Sequence, residues 1–177
     1  EDISTFITIM GIDMGMNKED EKLKGIIKHY KKIDDVNIIY DELSKNIELI
    51  QNIEEFKILS IENELIQVLV NILNNAADAL ILNKNERKLI FIEAYQRNNY
   101  SYIKIKDNAG GIPENIIDRI FEPYFTTKHQ AQGTGIGLYM SEEIVKNHLN
   151  GTLSVENDTY EYEGISYVGA KFIIKIN

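Results

Sequence analysis

The run Ser101-Tyr-Ile-Lys-Ile-Lys-Asp107 alternates with period two, so Ile103, Ile105 and Asp107 share one face of a strand while Tyr102, Lys104 and Lys106 share the other. A carboxylate on the apolar face is costly unless it is hydrogen-bonded. It runs directly into Asn108-Ala-Gly-Gly-Ile-Pro113, a glycine turn where backbone can come close to a ligand. A buried acceptor beside such a turn asks for a donor, and the exocyclic amine of adenine is one candidate.

Two further groups could act on the charged end of a nucleotide. Glu64, Gln67, Asn71, Asn75 and Asp78 recur at spacings of three and four along an otherwise apolar segment. Asn71 and Asn75 are one helical turn apart, so both amides can point at one spot, and an Asn oxygen suits Mg²⁺. The simpler reading of an isolated N-x-x-x-N is a solvated polar face. Gly133-Thr-Gly-Ile-Gly-Leu138 precedes a helical pattern, and glycines ahead of a helix N-terminus can wrap an anion. By itself that pattern also fits a tight turn. The strand that a dinucleotide fold would need in front of it is missing. Between the glycine groups lies Phe121-Glu-Pro-Tyr-Phe-Thr-Thr-Lys128, followed by His129-Gln-Ala-Gln132. Two Phe residues four apart can anchor such a segment, and the polar stretch beyond has little to bury. A flap of this kind suits a lid over ATP; an ordinary surface loop is the plainer alternative.

The elements that must hold these groups follow from periodicity. Residues 1–33 contain an apolar stretch (Ile3 to Met16), a polar break, and a run in which Leu23, Ile26, Ile27, Tyr30 and Ile33 follow helical spacing, as in part of a helical hairpin. Asp34 or Asp35 could cap a short helix through Leu43. From there the pattern is mixed. Strands are expected at Asn46–Ile53 and Lys57–Ile61, then a long helix capped by Asn63 and reaching Leu82, with Ile66, Leu69, Val70, Leu73, Ala77 and Leu80 on its core face. Lys88–Gln96 and Tyr100–Asp107 read as a hairpin joined at Arg97-Asn-Asn99. Pro113 opens a short helix through Ile120. A helix follows over Gly135–His148, then strands over Thr152–Asn157 and Ser166–Ile176, with Val168, Ala170, Phe172, Ile174 and Ile176 facing the core.

The bulk numbers restrict the class. The chain has 177 residues, enough for a full core, and no cysteine, which excludes a disulfide framework and thiol chemistry and fits a cytoplasmic setting. No apolar run approaches the ~20 residues needed to cross a bilayer, so no membrane contact is expected from this segment, although a longer parent protein could be membrane-anchored. A net charge of -9 argues against nucleic acid as a partner.

The order of these motifs, with the Asn helix first, then the Asp-glycine strand end, the Phe-anchored flap and the glycine-rich helix start, resembles the ATP-binding family that joins sensor histidine kinases to DNA gyrase, chaperone ATPases and mismatch-repair ATPases. The resemblance spans about residues 34–177, which it implies are the catalytic domain, preceded by a helical segment 1–33 that could be the remnant of a dimerisation hairpin. It implies an α+β two-layer sandwich, the Bergerat fold, with a mixed, mainly antiparallel sheet and helices on one face. Phe121-Glu-Pro-x-Phe-Thr-Thr-Lys128 is similar to the F box of histidine kinases. The hydrolytic branches and the serine-specific kinases carry a glutamate where this chain has Asn71, which points to a histidine acceptor rather than water or a hydroxyl.

By that resemblance Asn75 binds Mg²⁺, Asn71 assists at the phosphates, and Arg119 and Lys128 are candidate cations for phosphate charge. Asp107 accepts from adenine, with Gly111 and Ile112 beside it. Phe121, Thr127, Gly133, Thr134, Gly135, Gly137 and Leu138 frame the lid and phosphate end. Ala109 replaces the family's more usual glycine, and Ala79 stands where many relatives carry an aromatic. The implied cofactors are ATP and Mg²⁺. The implied partners are a histidine-bearing dimerisation domain and a response-regulator receiver domain, in a homodimeric parent. A phosphoacceptor motif is not recognised in the chain. His29 is followed by Tyr-Lys-Lys, His129 falls in the flap, and His148 ends a helix, where it would favour the C-terminal dipole. A regulatory nucleotide-binding module and a gyrase-type ATPase are the competing readings.

Overall fold

The computed structural model describes residues 12–13, 47–54, 56–57, 62–128 and 133–177. Ten elements follow in chain order: β1 (Ile12–Asp13), β2 (Ile47–Ile53), β3 (Phe56–Lys57), α1 (Glu62–Leu82), β4 (Lys88–Arg97), β5 (Tyr100–Asp107), α2 (Glu114–Ile117), α3 (Gly137–Asn147), β6 (Gly151–Tyr162) and β7 (Ile165–Ile176). The main sheet has the order β2-β4-β5-β7-β6, and β1 pairs separately with β3. The β2–β4 pair is parallel and the other three pairs are antiparallel, giving the mixed sheet expected of an α+β sandwich. Ile12 and Asp13 are extended, paired with Phe56 and Lys57. The remainder of the proposed helical hairpin and the 34–43 helix, with His29, lie outside the described residues.

Helix α1 runs through its whole length without glycine or proline and buries Leu65, Val68, Ile72, Ala76 and Leu80 against the sheet. Each of the Leu, Val and Ile side chains contributes roughly 1.5–3 kcal/mol when fully buried. The sheet answers with Ile90, Ile92 and Ala94 from β4, Ile103 and Ile105 from β5, and Phe172, Ile174 and Ile176 from β7. Helix α3 adds Ile144 and Val145 to the same layer. Helix α1 already includes Glu62, so Asn63 sits inside its first turn and does not cap it. Val70 is only partly buried, because the sheet-facing stripe runs through Leu65, Val68 and Ile72 instead.

By length and composition Glu64–Leu82 could cross a membrane, contrary to the sequence expectation, but half of that segment is buried inside this fold as its core helix.

Both hairpins close on two residues with positive φ, Asn98 (52°) with Asn99 (66°) and Glu163 (51°) with Gly164 (77°), the geometry that matches strand twist. The second hairpin is longer than expected: β6 and β7 pair continuously from Gly151↔Ile176 to Tyr162↔Ile165. The far half of β6, Asp158–Tyr162, is acidic and aromatic and lacks an apolar stripe to announce it. That half buries no side chain, and Val168, expected in the core, is 42% exposed. Helix α2 stops at Ile117, short of Ile120, and α3 begins at Gly137, because Gly135 has φ +67° and cannot be helical.

Helices α1 and α3 cover one sheet face. On the other, lysines rest on rings: Lys106 lies 3.6 Å from the Tyr160 ring centroid and 5.3 Å from Phe91, and Lys175 lies 3.8 Å from Tyr100. Lys104 sits 5.1 Å from the Tyr95 ring, and Lys106 and Lys171 each hold Asp158 at 3.3 Å.

One backbone contact fixes how β7 passes the end of β5. A Cβ on Gly169 would lie 1.6 Å from the Asp107 carbonyl oxygen. Gly169→Ala should therefore cost about 3 kcal/mol or more in urea-denaturation stability. Gly164→Ala, whose Cβ would meet nothing within 4 Å, should lose only the ~1–2 kcal/mol of its positive-φ strain.

Candidate functional site

Asp107 ends β5 on the core side and is 3% exposed. Its Oδ1 accepts the Ala109 N–H at 2.8 Å and the Ala170 N–H at 3.2 Å. Among the described residues its Oδ2 accepts no hydrogen bond. Burial pushes the carboxyl above its ordinary value, while the two backbone donors pull the other way. The Tyr160 hydroxyl donates to the Asp107 carbonyl at 2.9 Å; burial first, then the Asp107 charge, holds that phenol well above the usual tyrosine range. The result is a carboxylate with one oxygen committed to the fold and one open to a donor.

Side-chain amides that sequence patterning did not single out shape the turn beyond it. Asn108 is fully buried; its Oδ1 accepts the Leu89 N–H at 2.8 Å and its Nδ2 donates to the Arg87 carbonyl at 2.9 Å. Asn83 and Asn85, just past α1, donate to the Ala109 and Asn108 carbonyls at 2.7 and 2.6 Å. Asn157 on β6 takes the Ile112 N–H and donates to the Ile112 carbonyl, both at 2.7 Å. Gly110 (φ +94°) and Gly111 (φ +81°) occupy the left-handed region, and a Cβ on Gly111 would sit 2.6 Å from Asn157 Oδ1. The only local signal for these four residues is their type, since Asn also marks ordinary turns.

The second half of the site is built on α1 and α3. Asn71 Nδ2 donates to the Gly137 carbonyl at 3.3 Å and to Ser141 Oγ at 3.1 Å, tying the two helices together. Ser141, fully buried, donates on to the same Gly137 carbonyl at 2.9 Å. Asn75 Nδ2 donates back to the Asn71 carbonyl at 2.9 Å, leaving its Oδ1 outward. That oxygen accepts from Lys128 Nζ at 3.3 Å, and the same ammonium forms an ion pair with Asp78. Amide and carboxylate oxygens holding a cation are a donor set that fits Mg²⁺. At the other end of α3, His148 Nδ1 lies 2.7 Å from Glu64 Oε1, so this histidine joins the two helices as well as closing its own.

Phe121, Phe125, Ile112 and Leu138 are partly buried against the core, as anchors of the flap and the glycine turn. Tyr124 (φ +65°) and Gly135 are joined by an N–H to carbonyl bond of 3.0 Å, and a Cβ on Gly135 would meet the Tyr124 carbonyl carbon at 2.5 Å. Gly133 packs beside Thr126 and Lys128. Thr127 and Thr134 are exposed. Arg119 and Lys128 differ in what they reach. Arg119 donates to Glu122 at 3.1 Å and lies 4.6 Å over the Phe125 ring, and it makes no ion pair with Asn71–Asp78. Residues 129–132, including His129, lie outside the described residues.

The chain and its architecture have counterparts among known proteins. A family model described as "Histidine kinase-, DNA gyrase B-, and HSP90-like ATPase" matches residues 60–177. The two-component sensor PprA of Pseudomonas aeruginosa is 35% identical over 117 residues, 64% of this chain and 12% of that protein. The signal transduction histidine-protein kinase AtoS of Escherichia coli is 40% identical over 96 residues, 53% of this chain and 15% of its own length. Sporulation kinase C of Bacillus subtilis is 29% identical over 140 residues, 77% of this chain and 30% of its own length. The chain thus spans less than a third of the length of each of these relatives. Among solved structures, the catalytic domain of histidine kinase ThkA superposes with a TM-score of 0.59 at 25% identity, over 81% of this chain and 87% of that one. With two thirds of its length matched, the chain belongs to the histidine kinase-, DNA gyrase B- and HSP90-like ATPase family, as an ATP-binding catalytic domain of the histidine kinase kind.

Proposed function

We propose that this chain binds Mg·ATP and passes the γ-phosphoryl group to a histidine carried on a dimerisation domain, residues 34–177 being the catalytic unit. In this reading residues 1–33 are the end of a dimerisation hairpin, the parent protein is a homodimeric sensor whose phosphohistidine supplies a receiver domain, and the domain works in the cytoplasm. The observation that carries the choice of acceptor is Asn71. Its amide is committed to Gly137 and Ser141, and a neutral amide there cannot take a proton from water or a hydroxyl. Hydrolysis of the gyrase type and transfer to serine both call for such a base. Neutral imidazole does not, since its lone pair is nucleophilic near pH 7.

Asp107 Oδ2 accepts the adenine amine, and the Gly110-Gly111-Ile112 turn lets the base approach. The α3 N-terminus, with Gly133, Thr134, Gly135 and Gly137 before and at it, presents backbone N–H groups to the phosphates. Asn75 would hold Mg²⁺, which supplies charge neutralisation at the phosphates. The imidazole lone pair forms the new N–P bond as the bond from the γ-phosphorus to its bridging oxygen breaks and ADP leaves. The protein's part is orientation and electrostatics. Lys128 is the better placed of the two candidate cations; Arg119 would have to leave Glu122 to take part.

Asn75→Ala should abolish phosphotransfer from labelled ATP to a separately expressed histidine-bearing domain. Transfer at the wild-type rate would sink this assignment, and acid-stable label on the acceptor would move it to a hydroxyl.

Asp107→Asn should weaken ATP binding by about ten- to a hundredfold, the ~1–3 kcal/mol of a buried group left mismatched. Inosine triphosphate, which has an oxygen in place of the amine, should bind the wild type comparably poorly in the same titration.

The folded state holds the Asp107 proton more tightly than the unfolded chain. This carboxyl therefore contributes stability below its ordinary value of 3.8, and that contribution is lost as pH rises through the raised folded value. Thermal melts across that interval should be flatter in Asp107→Asn than in the wild type.

A further inference from the structure

The Asn75–Asp78 position already carries a positive charge of the protein's own. Lys128 Nζ lies 3.3 Å from Asn75 Oδ1 and is paired with the Asp78 carboxylate. The lysine is steered there by its surroundings. Its backbone N–H donates to Thr126 Oγ1 at 3.1 Å, and Gly133 lies close beside it, where an added Cβ would come 3.2 Å from the lysine Cδ. Asn75 is turned outward by its own bond to the Asn71 carbonyl, so its oxygen is presented whether or not a ligand is there. One oxygen cannot serve an ammonium and a divalent ion in the same direction at once.

We propose that Lys128 is a tethered counter-cation: in the nucleotide-free protein its ammonium occupies the position between Asn75 and Asp78 and competes with the divalent metal that arrives with nucleotide. The inference rests on the reading of Asn75 as the metal ligand and deepens it. Without this neighbour, the Asp78 carboxylate and the Asn75 oxygen would form an open anionic site, able to take a metal ion before nucleotide. With it, metal binding requires the lysine to leave, and the departing ammonium becomes available to phosphate oxygen. Metal and nucleotide are thereby made to arrive together.

The pair is partly solvent-exposed, with side chains 29% and 48% accessible, so its hold is modest and the competition correspondingly mild. Removing the competitor should raise apparent affinity by the inverse of the fraction of molecules with the site free, roughly three- to fivefold. The measurement is Mn²⁺ binding by electron paramagnetic resonance, on the 177-residue chain with and without ADP. ADP is chosen because it lacks the γ-phosphate. Lys128→Met should bind Mn²⁺ about three- to fivefold more tightly than wild type in both settings, and Lys128→Arg should stay near wild type because the charge remains. Lys128→Gln replaces the methionine variant if that one fails to fold. Equal or weaker Mn²⁺ binding in the charge-free variant overturns the proposal. Asn75→Ala separates the two readings. If it abolishes nucleotide-linked Mn²⁺ binding while Lys128→Met changes nothing, the metal assignment stands and the competition fails. If Asn75→Ala leaves Mn²⁺ binding intact, both fail.

Discussion

The buried carboxylate of Asp107 is the constraint around which the rest of the domain is arranged. A charge at 3% exposure must be met by donors, and the fold meets it from two directions, with the Ala109 N–H on its own turn and the Ala170 N–H on the neighbouring strand. That second donor is within reach only because β7 comes against the Asp107 backbone at Gly169. The close approach also places the Val168 carbonyl where the Gly110 N–H can use it, at 2.9 Å, so the glycine turn inherits its position from the same contact. Satisfying only one oxygen leaves the fold with a carboxyl less stable in its charged form than it would be in water.

The two ends of the site are built by different means. At the Asp107 end, side-chain amides stand in for strand partners. Asn108 and Asn157 each engage backbone N–H and C=O groups as a neighbouring strand would, so the ladder can be interrupted without leaving orphaned groups. At the Asn75 end, the parts come from separate helices and are drawn together by Asn71 and Ser141. The first arrangement is held by hydrogen bonds of 2.6–2.9 Å. The second rests on longer ones, of 2.9–3.3 Å.

Much of this was legible in the chain itself. Period-two alternation placed Asp107 inside, helical spacing put Asn71, Asn75 and Asp78 on one face, and the Asn98-Asn99 pair announced a tight hairpin. What escaped was long-range. Nothing local marks Gly169 as the residue under Asp107, 62 positions away in sequence order, or Asn157 as the clamp on Ile112, at a separation of 45. That Asn71 ties two helices was not legible either, because its partner Ser141 has no signature apart from the fold. Val168 kept the alternation of a core strand but sits where the hairpin buries nothing, a tertiary effect that alternation cannot report.

The sheet face away from α1 and α3 carries lysines laid over aromatic rings. Its aromatic rings are not bare: the Lys106, Lys175 and Lys104 ammonium groups lie across Tyr160, Tyr100 and Tyr95, and Asp158 joins Lys106 to Lys171. Any second layer stacking on this surface would have to strip those charges of water as well as cover the rings. The lysine rows thus disfavour the stacking of a second sheet on this surface.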